Sequence, residues 1–145
     1  MADRTEGTIL IEAEPEDVMD VLTDFDAYPR WAGVESAEVL EEDDEGRGSA
    51  VAFRVSQMGF DASYTLEYGF TPDHGGMSWT TREADGALRD VAGEYVLEDE
   101  DGDTRVTYRL AVELAMAVPS MLRRRGERAI VKTALEGLKR RVEEG

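Results

Sequence analysis

Between residues 60 and 70 the chain alternates with a period of two. Phe60, Ala62, Tyr64, Leu66, Tyr68 and Phe70 fall on one side, and Asp61, Ser63, Thr65, Glu67 and Gly69 on the other. That pattern predicts a half-buried strand with an aromatic ladder on its inner face. The same period, more weakly marked, predicts strands over 8–13 (TILIEA), from Val34 onward, over 49–58 with Val51, Phe53 and Val55 on one face, and over 77–83 (MSWTTRE). Two more flank the EDEDGD segment at 98–103. One turns Val91, Gly93, Tyr95 and Leu97 inward, the other Val106, Tyr108, Leu110, Val112 and Leu114. Gly- and Asp-rich segments at 41–48, 71–76 and 84–86 (ADG) read as the turns between them.

The period changes twice. Val18, Val21, Leu22 and Phe25 recur at i, i+3, i+4 and i+7 after Pro15, Glu16 and Asp17, which suit the start of a helix. Pro29 then breaks it and predicts a second short helix or turn, where Phe25, Tyr28 and Trp31 crowd together. At the far end Pro119 opens a helix of about 25 residues with Val131, Ala134, Leu135, Leu138 and Val142 as its inner stripe. Gly126 and Gly137 lie inside it. Glycine there costs about 0.5–1 kcal/mol relative to alanine, so each implies either a close approach to the helix or a helix that moves.

One strand, two short helices, about six strands with short turns and a long terminal helix make an α+β protein. With no repeat or linker over 145 residues, a single domain spanning 1–145 is expected. A sheet of about seven antiparallel strands is wide enough to curl around the terminal helix. The space between them is a natural cavity, of the kind that apolar and aromatic walls with a few polar groups favour.

Charge narrows the choice of partner. The net charge is −17, but residues 119–145 hold 8 basic and 4 acidic side chains, so a +4 segment ends a body carrying −21. Such a field repels nucleic-acid phosphates and anionic lipid. No apolar run approaches the roughly 20 residues that span a bilayer. The opening MADRTEGTILIE lacks a basic-then-apolar leader, which predicts a cytoplasmic location. The sequence has no Cys and no Asn, excluding disulfides, thiolate chemistry and N-glycosylation.

Residues that suggest chemistry mostly have a simpler reading. His74, the single imidazole, lies in a PDHGG turn without the companions that a zinc site or a catalytic triad needs. EDEDGD fails the EF-hand register, because from Asp99 its glycine is fourth and its twelfth residue is Leu110. Neither a metal nor a cofactor is expected. Asp61, Glu67 and Glu94 point outward by alternation. Arg82 and Arg109 are either outward salt-bridge partners or cations in the cavity. Tyr in place of Phe along the inner ladder suggests polar ligand atoms or water, since each buried hydroxyl needs a partner.

The run EAEPEDVMDVLTDFDAYPRWAGVESAEVLEEDDEGRG, the alternation GFDASYTLEY and the ending VPSMLRRRGERAIVKTALEGLKRRVEE resemble the polyketide cyclase/dehydrase group of the START-like (SRPBCC, helix-grip) superfamily over nearly the whole chain, from about Thr5 to Glu144. The resemblance implies a helix-grip fold, with a curved antiparallel sheet around the long C-terminal helix and two short helices after the first strand. It also implies a deep apolar pocket whose mouth lies near the short helices and the start of the long helix. On that basis Trp31, Phe53, Tyr64, Leu66, Tyr68, Trp79, Tyr95, Tyr108, Leu110, Met121 and Leu122 become ligand-binding candidates, with Trp31 a plug bordering the mouth. Binding of a hydrophobic or aromatic small molecule, lipid- or polyketide-like, is the leading expectation. The superfamily also contains aromatase/cyclases that work without metal or diffusible cofactor, and for that activity Tyr64, Tyr95 and Arg82 are the candidate catalytic residues. A chaperone-like or other protein-binding role is the third reading.

Overall fold

A computed structural model describes residues 4–57 and 60–144. Met58 and Gly59, at the junction of two expected strands, lie outside the described residues, as do the side chains of Gln57 and Phe60. Seven strands form one antiparallel sheet: β1 (Thr5–Ile11), β2 (Ser36–Glu42), β3 (Gly48–Gln57), β4 (Phe60–Thr71), β5 (Gly76–Gly86), β6 (Leu88–Glu100) and β7 (Asp103–Leu114), in the order β1-β7-β6-β5-β4-β3-β2. Helix α1 (Pro15–Leu22) and a 3-10 turn (Phe25–Arg30) follow β1, and α2 (Ser120–Glu144) ends the chain. Successive strands are joined by short hairpins from β2 to β7. The first strand instead pairs with the last, Thr5 opposite Leu110 and Ile11 opposite Thr104.

Curvature enters where the register slips. Bulges between Val39 and Glu42, between Thr65 and Leu66 and between Leu88 and Asp90 add local twist to three ladders. The ladders are unequal in length. β6 and β7 pair from Leu88–Leu114 to Glu100–Asp103, whereas β5 and β6 pair only from Gly76–Val96 to Trp79–Gly93. Past that point the Thr81 hydroxyl takes over, donating to the Val91 carbonyl at 2.9 Å and accepting from its N–H at 2.8 Å.

The alternation holds across the sheet. Val51, Phe53, Leu66, Trp79, Val91, Tyr95, Leu97, Val106, Tyr108 and Leu110 are buried on the concave face. Val131, Ala134, Leu135 and Leu138 of α2 are buried, with Val142 packed at the edge of the same core. Two sequence expectations need correction. Strand β1 starts three residues early, at Thr5. The ADG segment is not a turn: β5 runs through Gly86, which pairs with Ala62, and the reversal contracts to Ala87. A Cβ on Gly86 would lie 2.5 Å from the Asp61 carbonyl, so this glycine marks a close approach inside a ladder. The turn expected within EDEDGD is present as a two-residue hairpin loop, Asp101 and Gly102, both at positive φ, the backbone a primed turn requires.

Helix α1 meets the 3-10 turn through Tyr28, whose hydroxyl donates to the Leu22 carbonyl at 2.6 Å and so satisfies an otherwise orphaned group at the helix end. Phe25, Tyr28 and Trp31 then stack in sequence, with centroids 5.0 and 4.8 Å apart, and reach across to Tyr68 and Phe53. Just beyond, the Trp31 carbonyl seats against Gly137 of α2, where an added Cβ would lie 2.4 Å from that oxygen. The aromatic cluster therefore closes one end of the space beneath α2.

Candidate functional site

A cavity of about 490 Å³ lies between the concave face of the sheet and the first half of α2. Its walls come from the segment around the 3-10 turn, from β3 to β7 and from α2. Tyr28 and Ala32–Val34 stand at one side, Phe53 and Val55 come from β3, Tyr64, Leu66 and Tyr68 from β4, and Trp79 from β5. Leu88, Val91 and Tyr95 come from β6, and Tyr108, Leu110, Val112 and Leu114 from β7. Helix α2 supplies Leu122, Arg123, Gly126, Glu127, Ala129, Ile130, Thr133 and Ala134. Leu122, Gly126, Ala129, Ile130 and Thr133 are exposed, so the opening lies along this flank of α2 facing Ala32–Val34. Gly126 has open space where a side chain would project.

The aromatic rings form a continuous set. Tyr95 and Tyr108 lie 4.4 Å apart, Trp79 sits 5.5 and 5.7 Å from them, and Tyr68 is 5.8 Å from Trp79. Phe53 stacks on Tyr64 at 5.5 Å. Among the described residues no group hydrogen-bonds the hydroxyls of Tyr64, Tyr68, Tyr95 or Tyr108, in contrast to Tyr28. Nor are these hydroxyls sealed off: the buried, unpartnered side-chain polar atoms are the indole nitrogens of Trp31 and Trp79. Four phenol groups thus face a largely apolar space without a protein partner.

Burial holds each of these phenols neutral. It pushes Tyr64 up to about 12, and raises Tyr28, Tyr68, Tyr95 and Tyr108 above the ordinary tyrosine value, with neighbouring tyrosines adding to the effect for all four. These are all five tyrosines of the sequence. Unfolding therefore becomes easier at alkaline pH: above about pH 10 the unfolded chain has lost phenol protons that the folded chain retains, and stability falls as pH rises. Titration followed by phenolate absorbance should show no ionisation before pH 10, then a cooperative rise coincident with loss of the circular-dichroism signal. A separate phenolate step near pH 10 in a still-folded protein would contradict the burial of these rings.

The polar end of the cavity was not anticipated from the sequence. Glu127, 1% exposed, accepts from the Thr5 hydroxyl at 2.7 Å through Oε1, and from the Val112 N–H at 2.7 Å and Arg123 Nη1 at 3.1 Å through Oε2. One carboxylate ties α2 to β1 and β7. Its position could have been read: 127, 131, 134 and 138 share the spacing of the inner stripe, and only a search confined to apolar letters passes over it.

Not every candidate reaches the cavity. Phe53, Tyr64, Leu66, Tyr68, Trp79, Tyr95, Tyr108, Leu110 and Leu122 are brought together in its walls. Trp31 is not in the wall; it is buried beside Tyr28, and the residues that follow it form the rim. Met121 is 78% exposed, on the far side of the first helical turn from the opening. Arg82 lies on the convex face, bonded to Glu41 and Glu67 at 2.6 Å each, which removes it from any chemistry in the cavity. Arg109 is likewise outward, with Glu6 at 2.6 Å and Glu94 at 2.9 Å. Asp61 pairs with Arg54. His74 is an exposed turn residue, and no group of three or more metal-ligating side chains occurs among the described residues.

A curved antiparallel sheet gripping a long C-terminal helix, with a cavity between them, defines the START-like class. Residues 11–139 match the sequence profile of the family described as polyketide cyclase / dehydrase and lipid transport, and the chain belongs to that family. No curated protein matches it in sequence. Among solved structures it is similar to a START superfamily protein from Mycobacterium smegmatis (TM-score 0.88, 18% identity, 98% of each chain covered). It is also similar to the Zhui aromatase/cyclase from Streptomyces sp. R1128 (TM-score 0.73, 18% identity, 99% of this chain and 94% of that one). A STAR-related lipid transfer protein from Xanthomonas axonopodis shares the fold as well (TM-score 0.72, 20% identity, 95% of this chain and 84% of that one). At these identities the likeness establishes the fold. No helix among the described residues is long and apolar enough to cross a membrane.

Proposed function

We propose that this chain, acting as a single ligand-binding domain, holds a hydrophobic or aromatic small molecule, lipid- or polyketide-like, between its sheet and α2. The observation that carries this reading is the cavity itself: about 490 Å³ of aromatic and aliphatic wall into which four tyrosines present hydroxyls that no described protein group satisfies. An unmet hydrogen bond of a buried polar group costs about 1–3 kcal/mol, so such a wall is better matched to a guest with oxygen atoms, or to water, than to further packing. Aromatic contact area supplies the affinity.

Binding is favoured over cyclisation by the state of the ionisable groups. Tyr64 and Tyr95 line the cavity as neutral donors, but Arg82 is outside, and the carboxylate that does line it, Glu127, has three donors on its two oxygens. Proton abstraction from a polyketide needs a free base within reach, and the wall offers none among the described residues. Native mass spectrometry of freshly purified protein, followed by a panel of fatty acids, sterols and polycyclic aromatic polyketides, tests the proposal. A co-purifying small molecule or micromolar binding from the panel is expected; an empty protein that ignores the whole panel would overturn it.

A further inference from the structure

The hydrogen-bonding inventory of the cavity is lopsided. Its tyrosine hydroxyls can donate or accept, but at its polar end Arg123 carries five N–H donors and no acceptor. Among the described residues its one partner is Glu127, engaged through Nη1 alone. Arg123 is 21% exposed and lies in the cavity wall beside Val112 and Leu122. Glu127 has less to offer, because the Thr5 hydroxyl, the Val112 N–H and Arg123 already take three of its roughly four acceptor sites. Helix α2 adds to the bias, since it starts without an acidic residue in its first turn, leaving its positive end uncompensated.

We infer that Arg123 is a specificity-determining residue that receives the acidic head of an amphipathic ligand whose apolar body extends toward the tyrosines; this rests on the binding function proposed above. The fixed fork of a guanidinium matches a carboxylate, and the N–H groups not directed at Glu127 suffice for one. The dimensions suit such a guest. Val112, level with Glu127, and Tyr108, at the centre of the aromatic set, are separated by four residues of one strand, about 13 Å. A ligand with an acid at one end and a ten-carbon chain or two aromatic rings behind it spans that distance. The net charge of −17 works against any anion, so a preference for the acid form must come from a local cation.

The test compares ligand pairs that differ only at the head. Decanoic acid against 1-decanol, and biphenyl-4-carboxylic acid against biphenyl-4-ylmethanol, are titrated calorimetrically at pH 7.5 into the wild type, Arg123→Gln and Arg123→Lys. In at least one pair the wild type should bind the acid about tenfold more tightly than the alcohol. Arg123→Gln should erase that difference, and Arg123→Lys should keep part of it. A preference confined to the decanoate pair identifies a fatty-acid-like guest, and one confined to the biphenyl pair an aromatic acid. Equal binding of acid and alcohol by the wild type overturns the inference and leaves ligand binding intact. A preference that survives in Arg123→Gln also overturns it. If none of the four compounds binds, the inference is overturned, and the panel experiment above decides the binding reading on its own.

Discussion

Replacing Glu127 with alanine should lower the free energy of unfolding by about 3 kcal/mol, and the melting temperature by about 10 °C for a chain of this size. The carboxylate accepts from three donors on three elements and is their only side-chain partner among the described residues: the Thr5 hydroxyl of β1, the Val112 N–H of β7 and the Arg123 guanidinium of α2 itself. Deleting it leaves the partly buried Thr5 hydroxyl and Val112 N–H without that acceptor. Arg123 retains some solvent contact, which keeps the loss below that of a fully buried pair. Glu127→Gln provides the control. Its carbonyl oxygen can keep the Val112 and Arg123 bonds, and its NH2 can donate to a Thr5 hydroxyl rotated to accept. The loss should then be about 1 kcal/mol, the difference between charge-assisted and neutral hydrogen bonds. Chemical denaturation of both variants measures the contrast. Equal losses in the two would mean that packing of the side chain, not its bonding, is what holds α2 to the sheet.

Two glycines of the same helix should respond to alanine with opposite signs. Gly137→Ala places a Cβ 2.4 Å from the Trp31 carbonyl. Both partners are backbone, so α2 must move away from the aromatic plug, at a cost of about 3 kcal/mol or more against a gain in helix propensity of about 1 kcal/mol. A net destabilisation of about 2 kcal/mol is expected. At Gly126 nothing lies within 4 Å of the new methyl, and Gly126→Ala should stabilise by about 0.5–1 kcal/mol. Thermal melts of the two variants decide this. Were Gly137→Ala neutral or stabilising, the close contact between α2 and the Trp31 backbone would not exist in solution.

These positions also show where the sequence could be read and where it could not. Alternation located the concave faces of β4, β6 and β7 because large apolar residues recur there at every second position. The start of β1 escaped notice because its early residues, Thr5 and Glu6, are polar and serve Glu127 and Arg109. Parity alone already turns Arg82 away from Trp79, three residues before it, and Arg109 away from Tyr108. What parity lacks is the partner: Glu41 lies on β2, three strands from β5 in the sheet order, and nothing in the spacing of the sequence joins it to Arg82. Most of the cavity wall was legible, since inward strand residues must face α2 if anything does. Glu127 and Arg123 were not, because a buried carboxylate on an apolar stripe is understood only once its donors are known, and these come from residues 122 and 15 positions away in sequence.

The short pairing between β5 and β6 gives the wall of the cavity a mechanical grain. Two stiff panels, β1-β7-β6 on one side and β5-β4-β3-β2 on the other, are each stitched along long ladders. They are joined to each other over Gly76–Trp79 and by the side chain of Thr81. Four residue pairs and one hydroxyl stitch the two panels together there, so this seam beside Trp79 is the line along which the container is least closed.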